Sequence, residues 1–161
     1  MRRKLPFDSS TQTKINGTVD ASFYQQRRRG VVAVVVRELQ LLVIRRSRFV
    51  TAPGAYCFPG GGIESGETEA EAVVRELNEE LNLAGTAVRR LWQSTTQRGV
   101  QLAWWRVTIS PSAVPVPNPE EVDACAWHSL AETRTLPHLL ESNHSFLNAI
   151  EAGDVSLTTE L

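Results

Sequence analysis

Cysteine is scarce in this 161-residue chain, with only Cys57 and Cys125, and methionine occurs once. Two thiols are too few for a disulfide framework. Cys125-x-x-His128 has the spacing of half a zinc site, but no second close pair completes the four ligands that structural zinc needs. No apolar run approaches the roughly 20 residues that span a bilayer. No apolar stretch before residue 30 reads as a secretory signal. Repeats and low-complexity tracts are also missing. These absences point to a reduced, cytoplasmic protein without a membrane partner.

The chain also lacks a basic folded region. Net charge is -1, yet residues 1–29 hold seven basic and two acidic side chains, so the remainder carries -6. We read residues 1–29 as a basic polar leader and 30–161 as one folded domain. Nucleic-acid binders usually show a basic folded domain. An acidic one argues against nucleic acid and suits a metal site. Composition is otherwise that of a globular protein, with 42% hydrophobic and 22% charged residues.

The β-branched run Val31–Val36 predicts a buried strand. Leu39–Ile44 predicts a second, with Arg37-Glu38 starting the turn between them. Arg45–Gly54 is charged and then turn-like. Tyr56–Phe58 reads as a short strand stopped by Pro59-Gly60-Gly61-Gly62. Apolar residues at Ala70, Val73, Val74, Leu77 and Leu81 predict a helix over 68–81, ended by Asn82, which tolerates the left-handed conformation. Strands are expected over 88–96, 100–109 and 124–130. The second of these is apolar on both faces and therefore central. Ser110–Pro119 holds four prolines and reads as a loop. A closing helix is expected over 138–150. This order predicts an α+β architecture with helices packed on a mixed sheet.

Glu76, Glu79 and Glu80 share one face of the predicted helix, roughly 120° from the apolar stripe. At i, i+3 and i+4 they are mutual neighbours. Three carboxylates so placed repel unless a hard cation joins them, and magnesium takes oxygen ligands of this kind. The three glycines permit close backbone approach to a ligand. Arg75, one turn before Glu79, can bridge carboxylates.

Gly61, five residues, Glu67, seven residues, then Arg75-Glu76-Leu77-Asn78-Glu79-Glu80-Leu81-Asn82-Leu83 closely resembles the Nudix box, G-x5-E-x7-R-E-U-x-E-E-x-G-U with U apolar. Every fixed position through Glu80 matches, and both U positions are leucine. The final glycine is Asn82, a residue enriched in the left-handed region. Chance agreement at six fixed positions is below roughly one in a million, so the resemblance is specific. It covers 23 residues directly and loosely extends over 31–150.

The resemblance implies an α/β/α sandwich with a mixed central sheet, and hydrolysis of a diphosphate linkage in a small nucleotide-like substrate. It implies magnesium, with manganese as a substitute, held by Glu76, Glu79, Glu80 and the Gly60 carbonyl. Arg75, Glu67 and Gly61 would brace the loop against the helix. Family members often recruit a general base from outside the box, and Glu120 and Glu121 are the candidates. Arg45, Arg46 and Arg48 could grip phosphates. Trp104 and Trp105 lie on opposite faces of one strand, so one belongs to the core and the other could stack on a base. Leu91–Gln101 carries no downstream subfamily marker. Upstream, Arg46-Ser47 and Gly54-x3-Phe58-Pro59-Gly60-Gly61 match a coenzyme A pyrophosphatase pattern only in part. Many relatives are dimers, and no interface is readable here. Two rival readings share the fold: a nucleotide sensor that does not cut, and an isoprenoid diphosphate isomerase using Cys57.

Overall fold

A computed structural model describes residues 28–158. Of the expected leader, only Arg28 and Arg29 fall among them. The first strand, β1 (Arg29–Val34), already includes Arg29, and the Arg28 carbonyl accepts from Gln101. Arg28 and Arg29, just before the expected boundary, therefore take part in the described fold.

After β1 come β2 (Val36–Arg37), β3 (Gln40–Arg46), β4 (Tyr56–Cys57) and β5 (Gly60–Gly62). Helix α1 (Glu69–Leu81) follows, then β6 (Gly85–Thr95), β7 (Gln101–Ile109), β8 (Val122–His128), α2 (Leu130–Arg134) and α3 (Glu141–Glu151). The strands of this α+β sandwich form two sheets. One is mixed, with order β5-β1-β7-β6, β1 and β7 being parallel. In the other, β3 pairs antiparallel with β2, β4 and β8. The chain passes from one to the other at Val35, which is buried.

The uninterrupted valine run is explained by burial on both faces. Val31, Ala33 and Val35 pack with Val73, Leu77 and Leu81 of α1. Val32 and Val34 face the other way, against Trp104, Phe146 and Leu147. Each fully buried Val or Leu contributes about 1.5–3 kcal/mol. As expected, β7 is interior, flanked by β1 and β6.

Helix α1 is strongly specified. Thr68 caps it, and Glu71 completes a capping box. Asn82 ends it at φ 52°. Its last carbonyls, on Glu80 and Leu81, accept from Asn118 and Val116 at 2.8 Å each. The proline-rich loop thus satisfies groups that every helix end leaves open.

Several expected boundaries move. Leu39 belongs to a left-handed turn with Glu38, both at positive φ, and is exposed. Strand β3 runs through Arg46. Gly60–Gly62, expected only to stop a strand, forms β5 against β1. The closing helix starts at Glu141 because residues 138–140 bond to Tyr56 instead. Helix α2 was unforeseen, although Ser129 and Glu132 form its capping box. No helix among the described residues is long and apolar enough to cross a membrane.

Candidate active site

The site is assembled where β5 crosses the inner face of α1. Glu76 and Glu80, one turn apart, are 8% and 5% exposed. One oxygen from each lies within 4.8 Å of the other and of one from Glu121. The expected neighbour Glu79 is outside this cluster. Its side chain is 47% exposed and accepts from Arg75 Nη1 at 3.1 Å.

The glycines are explained by close approach. The Gly60 amide donates to Glu80 Oε2 at 3.0 Å. A Cβ on Gly60 would overlap the Val31 carbonyl oxygen, and one on Gly61 would overlap the Glu76 carboxylate. Gly62 has open space around it.

Arg75 ties loop, strand and helix together. It grips Glu67 with two bonds, Nε to Oε1 at 2.7 Å and Nη2 to Oε2 at 2.9 Å. It also donates to Glu76 Oε1 at 2.9 Å and to the Gly62 carbonyl at 2.8 Å. The Glu67 carboxyl is drawn down to about 2, mainly by the Arg75 bonds and then by the Glu64 amide.

Burial pushes the other two carboxyls up. For Glu76 it outweighs the opposing Arg75 contacts. Glu80 rises to about 8 through burial and, less strongly, through Glu76 and Glu121, against the Gly60 amide and Arg46. An unfolded glutamate titrates near 4.5. Between these values the folded state holds a proton that the unfolded chain has released. The resulting stabilisation of the cation-free protein is complete below 4.5 and lost as pH rises through about 8. Melting in EDTA should therefore show a midpoint that falls from pH 5 to 8, and Glu80→Gln should flatten that fall. An equal fall in the variant would contradict the protonated pair.

The tandem Glu120 and Glu121 are separated by Ser47, which is fully buried. Its amide donates to the Glu121 carbonyl at 2.9 Å and its hydroxyl to the Glu120 carbonyl at 2.7 Å. This turn delivers the Glu121 side chain to the cluster and leaves Glu120 exposed. In sequence Ser47 stands out only within a partial motif, because this role is purely tertiary.

The three arginines after β3 also part. Arg46 lines a cavity of about 300 Å3 beside β5, together with Gly30, Val32, Phe58, Leu102 and Asn143. Arg45 pairs with Asp123 at 3.6 Å. Arg48 lies over the exposed ring of Phe49. Only Arg46 of the three lines that cavity.

Neither tryptophan lines that cavity. Trp104 is 0% exposed, stacks on Phe146 at 4.4 Å between centroids, and donates to Ser94. Trp105 packs against the α1 side and donates to Glu69, which also holds Arg29 and Arg90. Sequence reasoning missed Asn143, whose buried Oδ1 accepts from the Phe58 amide at 2.9 Å. A polar residue on the inner face of α3 was the available signal.

Residues 26–148 match the NUDIX domain family. The chain belongs to that family. A relative in Mycobacterium tuberculosis, named "Putative 8-oxo-dGTP diphosphatase 2", is 43% identical over 53 residues. That match spans 33% of this chain and only 38% of the relative's length. Among solved structures, the MutT protein of Methanosarcina mazei Go1 superposes with a TM-score of 0.69 at 20% identity, over 79% of this chain and 94% of that one. The MutT NUDIX hydrolase of Burkholderia pseudomallei gives 0.59 at 26% identity, over 77% and 98%. These likenesses agree with the observed sandwich.

Proposed function

We propose that this Nudix protein is a magnesium-dependent hydrolase that cleaves a diphosphate linkage in a nucleoside-diphosphate-linked substrate, with water attacking phosphorus. The carrying observation is the oxygen cluster of Glu76, Glu80 and Glu121 beside the β5 cavity. The donor set fits a hard cation. All three are carboxylates, two are buried, and their mutual repulsion is relieved by positive charge. Manganese suits the same donors.

Glu76 and Glu80 would hold the cation, helped by Glu79 at the rim and the Gly60 carbonyl. Bound there, it would neutralise the diphosphate and make the attacking water more acidic. The Gly60 amide orients Glu80. Arg75 and Glu67 hold the loop against the helix. Arg46 would grip a phosphate, and the cavity between Val32, Leu102 and Asn143 would take the nucleoside.

Glu121 would accept the proton from the attacking water. Glu121→Gln should lower kcat by about a hundredfold or more, whereas Glu120→Gln should stay near wild type. Equal losses in the two would remove Glu121 from that role. Arg46→Met should raise KM by about tenfold or more, the usual scale for a charged hydrogen bond, while Arg45→Met and Arg48→Met leave it unchanged. A KM unaffected by Arg46→Met would remove the phosphate contact.

The cavity and the name of the mycobacterial relative make nucleoside triphosphates, including oxidised ones, the first substrates to try. Product analysis over these, ADP-ribose, NADH, dinucleoside polyphosphates and coenzyme A would test the reading. Magnesium-dependent cleavage of one of them supports it. Nucleotide binding without cleavage of any would favour the sensor instead. The isomerase reading loses ground because burial pushes the Cys57 thiol up to about 11, leaving it protonated at neutral pH.

A further inference from the structure

Asn118 lies near the end of the proline-rich loop and bonds in two directions. Its amide donates to the Glu80 carbonyl at 2.8 Å. It thus hangs from the last turn of α1, on the backbone of a residue whose carboxylate belongs to the cluster. Its carbonyl accepts from the amides of Glu121 at 3.0 Å and Val122 at 2.7 Å. Its side-chain Oδ1 accepts from the Glu120 amide at 3.2 Å. The intervening Pro119 has no N–H to offer, and an asparagine side chain that bonds the amide two residues on closes an Asx turn.

Ser47 holds the other side of the same turn. Its hydroxyl donates to the Glu120 carbonyl and its amide to the Glu121 carbonyl. Each of the two glutamates is therefore bonded at its amide by Asn118 and at its carbonyl by Ser47. Ser47 follows Arg46 at the end of β3, and Asn118 hangs from α1, so the Glu121 carboxylate is registered against both elements of the site. We propose that Asn118 is a positioning residue for hydrolysis: it ties the Glu121 turn to the last turn of α1 and so sets the Glu121 carboxylate relative to that of Glu80. This rests on the reading of Glu121 as the group that accepts the proton of the attacking water. Such a base must lie within hydrogen-bond reach of that water, and a misplacement of about 1 Å can cost about a hundredfold in rate. Stability depends less on the same bond, because water can replace Oδ1 at the exposed Glu120 amide.

Asn118→Ala removes the Oδ1 bond, and Asn118→Asp keeps an acceptor in its place. The kinetic test uses saturating magnesium and the nucleotide panel, with GTP tried first. Asn118→Ala should lower kcat by about tenfold to a hundredfold. KM should stay within about twofold, because Arg46 and the cavity are untouched. Asn118→Asp should return to within about threefold of wild type, since an aspartate closes the same turn. In a Glu121→Gln background, Asn118→Ala should change kcat by less than about twofold, as residues acting as a unit do. The melting midpoint of Asn118→Ala should fall by no more than about 4 °C. Crystal structures without substrate add a readout besides turnover. In Asn118→Ala the Glu121 carboxylate should shift by about 1 Å or more, while Glu76 and Glu80 stay in place. Losses that multiply in the double variant, no recovery in Asn118→Asp, or an unmoved Glu121 would overturn the inference. So would wild-type turnover in Asn118→Ala beside a slow Glu121→Gln, which would leave the general base standing. Wild-type turnover in Glu121→Gln would instead sink the general-base reading, and the crystal structures alone would then decide whether Asn118 places that carboxylate.

Discussion

Glu80→Gln is expected to reduce kcat by about two to three orders of magnitude while leaving the fold intact. The amide keeps the shape of the side chain and can still accept from the Gly60 amide. It loses the charge that a divalent cation needs, and such a cation is worth several kcal/mol at a developing phosphoryl charge. Stability should move differently from activity. An ionised Glu80 is unfavourable in its buried position beside Glu76 and Glu121, so the neutral variant in EDTA at pH 8 should melt no lower than wild type. A variant that is inactive because it is unfolded would lose both properties together. Near wild-type turnover, measured with saturating magnesium on a cleaved nucleotide, would remove Glu80 from the metal site.

Gly61→Ala should be nearly as damaging, for a steric reason. Its Cβ would occupy space held by the Glu76 carboxyl group. Neither side can easily give way. Gly61 is fixed in β5 opposite Val31, and Glu76 is held by Arg75 on a helix whose opposite face is core. The expected outcome is a loss of kcat of about a hundredfold, with a stability loss of about 1–3 kcal/mol from overpacking. Gly62→Ala is the matched control. Its added carbon meets nothing within 4 Å, so kinetics and melting point should change little. Equal behaviour of the two variants in steady-state kinetics would show that contact between Gly61 and Glu76 does not shape the site.

The parts of this protein that could be read in advance are those encoded by neighbours in sequence. Asn82 marks the end of α1 through its left-handed geometry. The unbroken valines of β1 announce burial on two faces. The spacing of Glu76 and Glu80 puts both on one side of the helix. Apart from α2, whose local capping box was overlooked, the unread parts depend on contacts between distant segments. Glycine is disfavoured in strands, yet β5 forms because a larger residue could not fit between Val31 and α1. Glu121 enters the cluster, and Glu120 does not, because Ser47 fixes their turn from more than seventy residues away. Arg46 and Arg45 are adjacent in sequence, yet one lines the cavity and the other pairs with Asp123. Asn143 becomes a cavity wall only once α3 packs behind Phe58.

The most direct test of the account is an anomalous diffraction map from a crystal soaked in manganese. The expected result is a peak within coordination distance of carboxylate oxygens of Glu76 and Glu80, close to Glu121, and no such peak in Glu80→Gln. A manganese peak elsewhere on the protein, with Glu76 and Glu80 empty, would contradict it.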